Sequence, residues 1–233
     1  MSDSVDSIEA SAVADAVASV QRRISALAGS RHVQLVAVTK GFGADAIRAA
    51  VAAGCTAIGE NYAQELQHKM ADVAASGGLE PRPEVHFIGQ LQTNKVRVIA
   101  SMVDVWETVD RAALADEISK RAPGARVYVQ VNTTDEAGKG GCAPHEAAGL
   151  VEHCTNVGLQ VEGVMTVGPT SEDPDATSSA FALLAALADS LGLTARSMGM
   201  SGDYEVAIAR GATHVRIGSA LFGPRPVRRA QMG

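Results

Sequence analysis

The sequence predicts an α/β fold, a single-domain (β/α)8 TIM barrel with one extra helix at its N-terminus. Three observations lead there. Short apolar runs of strand type alternate with helix-type periodic segments about eight times along the 233 residues. The repeating unit is about 25 residues, and a closed barrel of such units needs roughly 250. No Gly-x-Gly-x-x-Gly turn follows the first strand, where an open doubly wound nucleotide-binding sheet would carry one.

Ile8, Ala12, Ala16, Val20, Ile24 and Leu27 recur every three or four positions and predict the apolar face of a leading helix, ended near Gly29. "VQLVAV" then reads as a buried strand. In "ADAIRAAVAAG", Ile47, Ala50 and Val51 share one helix face and Gly54 stops it. "TAIGE" is a short strand before the helix "NYAQELQHKMADVAAS". "VHFIG" and "VDVWET" are strands followed by the helices "TNKVRVIASM" and "RAALADEISKRA". "RVYVQVN" is the clearest strand, with "PHEAAGLVEHCTNVG" as its helix. "LQVEGVMTV" leads through the turn-rich loop "GPTSEDPDATS" to "ATSSAFALLAALADSLG". "TARSMGM" precedes "DYEVAIARG", and "HVRIG" precedes "SALFG". The expected division is a helix over 1–30 packed on the barrel, the barrel over 31–226 and a flexible tail over 227–233.

Hydrophobic residues make up 46% of the chain and aromatics only 3%, so the core must be aliphatic. With 20 Lys+Arg against 26 Asp+Glu the net charge is −6, which argues against a nucleic-acid partner. Arg225, Arg228 and Arg229 read as a solvated terminus. Three cysteines, Cys55, Cys142 and Cys154, do not form a disulfide framework and fit a reducing cytoplasm. The start "MSDSVDSIEA" carries acids where a signal peptide needs basic residues. No apolar run approaches the roughly 20 residues of a membrane span. A soluble, cytoplasmic protein without membrane contact is expected.

A barrel gathers its chemistry at the C-terminal ends of its strands. There the sequence offers Thr39 and Lys40; Glu60, Asn61 and Tyr62; Gln90, Gln92 and Lys95; Asn132 and Lys139; then "SMGMSGD" and "RIGSA". The last two belong together, because strands seven and eight of a barrel commonly form a phosphate cup. Ser201 supplies a hydroxyl, Gly218 a close backbone approach, and Ser219 begins a helix whose N-terminus favours an anion. Lys40, at the end of strand one, lies beside strand eight once the barrel closes. An amine next to a phosphate cup suits a Schiff base with a phosphorylated aldehyde. The residues leave two readings open: pyridoxal phosphate on Lys40, or an aldolase-type substrate imine. Cys142, His145, His153 and Cys154 do not make a metal site, since Gly149 stands where a metalloprotease helix would have its second histidine. His86 reads as a hydrogen-bonded core histidine and Trp106 as packing.

Taken together and in order, "LVAVTK", "GENYAQE", "HFIGQLQTNK", "VQVN…GKGG" and "GMSGDYEVAIARGATHVRIGSALFG" resemble the signature segments of the pyridoxal phosphate homeostasis proteins, the YggS/PROSC-like family. The resemblance covers about residues 8 to 226. It implies a barrel like the N-terminal domain of alanine racemase, covalently bound pyridoxal 5′-phosphate and a role in cofactor homeostasis without established turnover. By that resemblance Lys40 matches the Schiff-base lysine and Asn61 a residue facing the cofactor ring. Ser201, with Gly218 and Ser219, matches the phosphate cup, and Met200 is expected among the cofactor-binding residues. Arg216 matches the arginine at the pyridine nitrogen. Lys95 and Lys139 resemble lysines near the mouth. Ser219 stands where some members have threonine, and Thr39 replaces a frequent serine; the hydroxyl survives in both. The implied partners are the cofactor and apo enzymes that depend on it, and the implied state is a monomer.

The alternative is a pyridoxal-phosphate-dependent racemase-like enzyme. A two-base racemase needs a proton-transfer group opposite the lysine. Only Tyr62, Tyr128 and Tyr204 are available as tyrosines, and the barrel uses nearly the whole chain. A non-catalytic carrier is the expectation.

Overall fold

The computed structural model describes residues 9–171 and 173–224. Its parallel strands are β1 (Gln34–Val38), β2 (Ala57–Glu60), β3 (Glu84–Phe87), β4 (Val105–Val109), β5 (Arg126–Gln130), β6 (Gln160–Met165), β7 (Ala195–Ser197) and β8 (His214–Ile217). They close into a barrel in sequence order, with Val36 in register with Arg216 where β1 meets β8. The expected eight-stranded barrel is what the chain forms.

The outer layer consists of α2 (Ala44–Ala52), α3 (Ala63–Ala75), α4 (Thr93–Ile99), α5 (Ala112–Arg121), α6 (Ala147–Asn156), α7 (Pro174–Ser190), α8 (Tyr204–Ala209) and α9 (Ser219–Phe222). The leading helix α1 (Ala10–Ala28) packs against α2, α8 and α9. Its buried stripe is Val13, Val17, Val20, Ile24 and Ala28. The expected stripe is therefore rotated at its start: Ala12 is exposed, because the bulkier Val13 and Val17 bury more area than alanine does. Ile8, the arginines 225, 228 and 229, and the expected tail over 227–233 lie outside the described residues.

α7 begins at Pro174, inside the stretch expected to be loop. Asp173 caps it, its carboxylate accepting from the Asp175 amide at 3.0 Å, and proline occupies the first turn, where its missing N–H costs nothing. The helix after β8 is only one turn, Ser219–Phe222, shorter than the element a strong dipole requires.

Alternation along the strands builds two cores. Leu35 and Ala37 of β1, Ile58 of β2, Val85 and Phe87 of β3, and Val215 and Ile217 of β8 face the helices in one aliphatic shell. Trp106 joins that shell with its ring centroid 6.3 Å from that of Phe87, the packing role expected of it. Inside the barrel the apolar cluster is small: Val105, Tyr128 and Met165. Polar groups fill much of the rest of the lumen, with His86, Glu107, Ser197 and Arg216 all buried. That inversion, an apolar shell around a charged axis, positions the site.

Candidate functional site

Val36 and Val38 point into the barrel, where their methyl groups lie within van der Waals range of the space over Gly59. Lys40 follows two residues after the end of β1, half-buried at the C-terminal mouth. Asn61 follows β2 to the same mouth. Gly89 permits this approach: a Cβ there would stand 2.1 Å from the Asn61 carbonyl oxygen. Glu60 faces the other way, toward α3, where it bonds Lys69.

The loops after β7 and β8 meet at Ser201. Its Oγ accepts from the amides of Gly218 and Ala220, each at 3.3 Å. Both N–H groups are therefore turned on the serine oxygen, and the seam gathers two backbone amides and a hydroxyl, the kinds of group an anion site uses. A Cβ on Gly218 would press on the Val38 carbonyl oxygen at 3.2 Å, so residue size at this position is limited by β1. Ser219 is exposed at the start of the single-turn α9. Met200 is exposed, and its amide donates to Asp203 Oδ1 at 2.5 Å rather than into the cup.

Arg216 lies deeper in the lumen. Its Nη1 donates to Ser197 Oγ at 2.7 Å and its Nη2 to the Thr166 carbonyl oxygen at 2.7 Å. Glu107 Oε2 stands 4.0 Å away as counter-charge. Burial pulls the guanidinium's pKa down and Glu107 works against it; an arginine remains cationic regardless.

Below Arg216 a chain of hydrogen bonds runs along the barrel axis. Ser197 Oγ donates to Glu107 Oε2 at 2.5 Å. Glu107 Oε1 lies 2.6 Å from His86 Nδ1, and His86 Nε2 lies 2.9 Å from Glu84 Oε2. Arg126 ties Glu84 to Glu162 at the barrel floor. Burial opposes a charge on His86, but its bonds to Glu107 and Glu84 outweigh burial and push its pKa up to about 9. Burial would raise Glu107, yet His86 and Arg216 hold it down at about 2. His86 is thus a core histidine in a fully bonded ionic chain, as its place within a strand suggested.

The remaining lysines divide. Lys139 donates to the Gly168 carbonyl oxygen at 2.5 Å and pairs with Glu136 at 3.1 Å, so it staples two mouth loops together. Lys95 lines a cavity of about 510 Å³ with Asn61, Tyr62, Gln90 and Arg111. His153 of α6 binds Asp116 at 2.7 Å on the outside of the barrel. Among the described residues no group of three or more His, Cys, Asp or Glu side chains is placed to share a metal ion.

The donor set suits a phosphorylated aromatic aldehyde. It has an amine at Lys40, a hydroxyl bonded by two backbone amides at Ser201, and a fixed cation at Arg216. Asn61 adds a buried Oδ1 without a hydrogen-bond partner among the described residues, an acceptor left for a ligand's donor.

Comparison with known proteins agrees with this chemistry. The family described as "Alanine racemase, N-terminal domain" matches residues 13–226. A Pseudomonas aeruginosa protein named pyridoxal phosphate homeostasis protein is 40% identical over 227 residues, covering 92% of this chain and 96% of the relative. A Caenorhabditis elegans protein of the same name is 40% identical over 237 residues, covering 92% of each. The chain belongs to the pyridoxal phosphate homeostasis protein family. PipY of Synechococcus elongatus, in a structure with pyridoxal phosphate bound, superposes with a TM-score of 0.78 at 31% identity, over 91% of this chain and 100% of PipY. Alanine racemase from Corynebacterium glutamicum shares the fold, with a TM-score of 0.69 at 20% identity, over 97% of this chain and 64% of the racemase.

For this family member, the sequence brought forward Lys40, Asn61, Ser201, Arg216, Gly218 and Ser219 but not Arg111 and Glu136 at the mouth, Ser197, Glu107 and Thr166 around Arg216, or Lys69 and Glu65 behind β1. The missed signal was available in part: glutamates at alternate, lumen-facing positions of strands, such as Glu84 and Glu107, are too costly to bury without partners.

Proposed function

We propose that the chain holds pyridoxal 5′-phosphate as a Schiff base on Lys40 and acts in homeostasis of that cofactor inside the cell, as a carrier without turnover of its own. What supports this reading is the pairing of β1 with β8, which brings the strand that leads into Lys40 beside the strand that holds Arg216, with Gly218 and Ser201 bonded at the end of that strand. The relatives' name and the PipY complex support the cofactor assignment. When bound, pyridoxal phosphate supplies an aldehyde for imine formation and an electron-withdrawing ring. Lys40 would be the residue that holds it covalently, through its amine, with the aldehyde oxygen lost as water.

The chain's own residues divide the work. Ser201 and the amides of Gly218 and Ala220 bind the phosphate, with Ser219 at the rim and Met200 flanking. Asn61 would orient the ring. Arg216 would hold a fixed positive charge against the ring and disfavour protonation of its nitrogen, because a second positive charge facing a guanidinium is disfavoured. An unprotonated ring is a weak electron sink, so binding is kept and amino-acid chemistry is muted. Hand-over to apo enzymes that need the cofactor, as a monomer in the cytoplasm, completes the reading. Among the described residues no helix is long and apolar enough to cross a membrane.

The test is the visible spectrum of the purified protein before and after borohydride, followed by peptide mapping. The reduced cofactor is expected on the peptide containing Lys40. Recovery chiefly on Lys95 or Lys139 sinks the assignment. Unphosphorylated pyridoxal is expected to bind roughly a hundredfold more weakly, about 2.7 kcal/mol, through loss of the cup's charge-assisted bonds. Equal affinity for the two removes the phosphate from the cup.

A further inference from the structure

Behind β1, on the side away from the lumen, a charged cluster is largely withdrawn from water. Lys69 of α3 has a side chain only 4% exposed, and Glu60 at the end of β2 is fully buried. Lys69 Nζ lies 2.6 Å from Glu60 Oε1 and 2.6 Å from Glu65 Oε1, the latter one helical turn earlier. Two carboxylates and one ammonium are costly to bury, and such a cluster is a poor way to gain stability. Its hydrogen bonds show where it acts instead. Lys69 Nζ donates to the Thr39 carbonyl oxygen at 2.7 Å. Thr39 Oγ1 donates to Glu60 Oε1 at 2.5 Å. The Gly41 amide donates to Glu65 Oε1 at 2.5 Å. These contacts fall on the residue before Lys40 and the residue after it. The chain also turns here: the Phe42 amide donates to the same Thr39 oxygen at 3.2 Å, and Gly41 takes φ 82°.

We propose that Glu60, Glu65 and Lys69 are positioning residues for Lys40: a buried clamp that fixes the main chain on both sides of the reacting amine and so sets its direction into the mouth. The inference rests on the Schiff-base reading of Lys40 and adds the device that aims it. A strand that has just left its ladder has few backbone bonds to hold it, and an error of about 1 Å in a reacting group can cost on the order of a hundredfold in rate. An ammonium on a carbonyl and a carboxylate on an amide are the charge-assisted bonds that resist such drift.

The test uses Glu65, whose side chain is near the surface at 11% exposure, so that the buried Lys69–Glu60 pair survives its replacement. Glu65→Leu removes the acceptor for the Gly41 amide, and Glu65→Gln keeps one. Apo forms of the parent and both variants are mixed with pyridoxal phosphate, and Schiff-base formation on Lys40 is followed by absorbance and borohydride trapping. Hydrogen exchange of the Gly41 amide is measured on the same apo proteins. Glu65→Leu is expected to form the Schiff base about tenfold more slowly and to exchange the Gly41 amide faster, with Glu65→Gln close to the parent in both. Equal rates in all three proteins, or a loss in Glu65→Gln as large as in Glu65→Leu, overturn the clamp. A parent that shows no trapped cofactor on Lys40 refutes the functional reading itself, which separates the two failures.

Discussion

Two buried ionic networks lie behind Lys40 and beneath Arg216, and they are built differently. The cluster behind Lys40 draws on residues 39 to 69, lies between the sheet and α3, and grips main-chain atoms. The chain beneath Arg216 draws on β3, β4, β7 and β8, spans 90 residues of sequence between Ser197 and Glu107, and grips a side chain. The outer cluster carries excess carboxylate, whereas the axial chain alternates its signs from Glu84 through His86 and Glu107 to Arg216. The difference follows from the tasks proposed for the two cations. A nucleophile needs a fixed root and a mobile tip, while a group that tunes a ring electrostatically needs its charge itself fixed.

The sharpest way to break this comparison is Glu107→Ala. It leaves His86 and Arg216 buried beside one another's charge without their shared counter-ion, and a loss of about 3–5 kcal/mol is expected in urea unfolding. A loss below about 1 kcal/mol would mean that the axial chain is not held by its charges.

Titration separates the networks next. His86 has its pKa raised to about 9, so the stability it contributes is complete below its ordinary value of 6.5 and is lost as pH rises through about 9. Glu84 and Glu107 have theirs lowered to about 2, so their contribution is complete above 4.5 and is lost as pH falls toward about 2. The apoprotein should therefore be most stable between these limits. From pH 6.5 to 9 the decline should be on the order of 2 kcal/mol, or roughly 4–8 °C in Tm. His86→Gln should flatten that alkaline limb; an unchanged limb assigns it to other groups.

Glu60→Gln should have the smallest effect. Burial pushes the Glu60 carboxyl's pKa up, against the opposing pull of Lys69 and Thr39. A group raised in this way gains stability on protonation, opposite in sign to Glu107, so a neutral amide is tolerated. Glutamine keeps an oxygen for Thr39 and Lys69, and Lys69 keeps Glu65 as partner. A change within about 1 kcal/mol is expected by chemical denaturation. A loss as large as that of Glu107→Ala would erase the distinction between the two networks.

The barrel itself was legible in the sequence, because alternation of periods 2 and 3.6 is a local property: each strand and helix declares itself from its own residues. The mouth was legible for the same reason, since a residue directly after a parallel strand must come to the C-terminal face whatever surrounds it, as Lys40, Asn61 and Ser201 do. The leading helix was legible in existence but not in rotation, because alanines at positions 12 and 16 fit the periodic stripe and only packing against α2, α8 and α9 selects Val13 and Val17. Which strand residues point into the lumen, and which charges meet there, was decided by closure of the barrel. Ser197 finds Glu107 only when β7 and β4 curve to face one another across the axis. Glu60 is turned from the mouth to Lys69 by the pleat of β2 and the docking of α3. The sequence determined the elements and the identity of the groups at the mouth through local periodicity; the tertiary structure decided how those groups are held, because the partners of a buried charge are chosen by where chain segments distant in sequence come together.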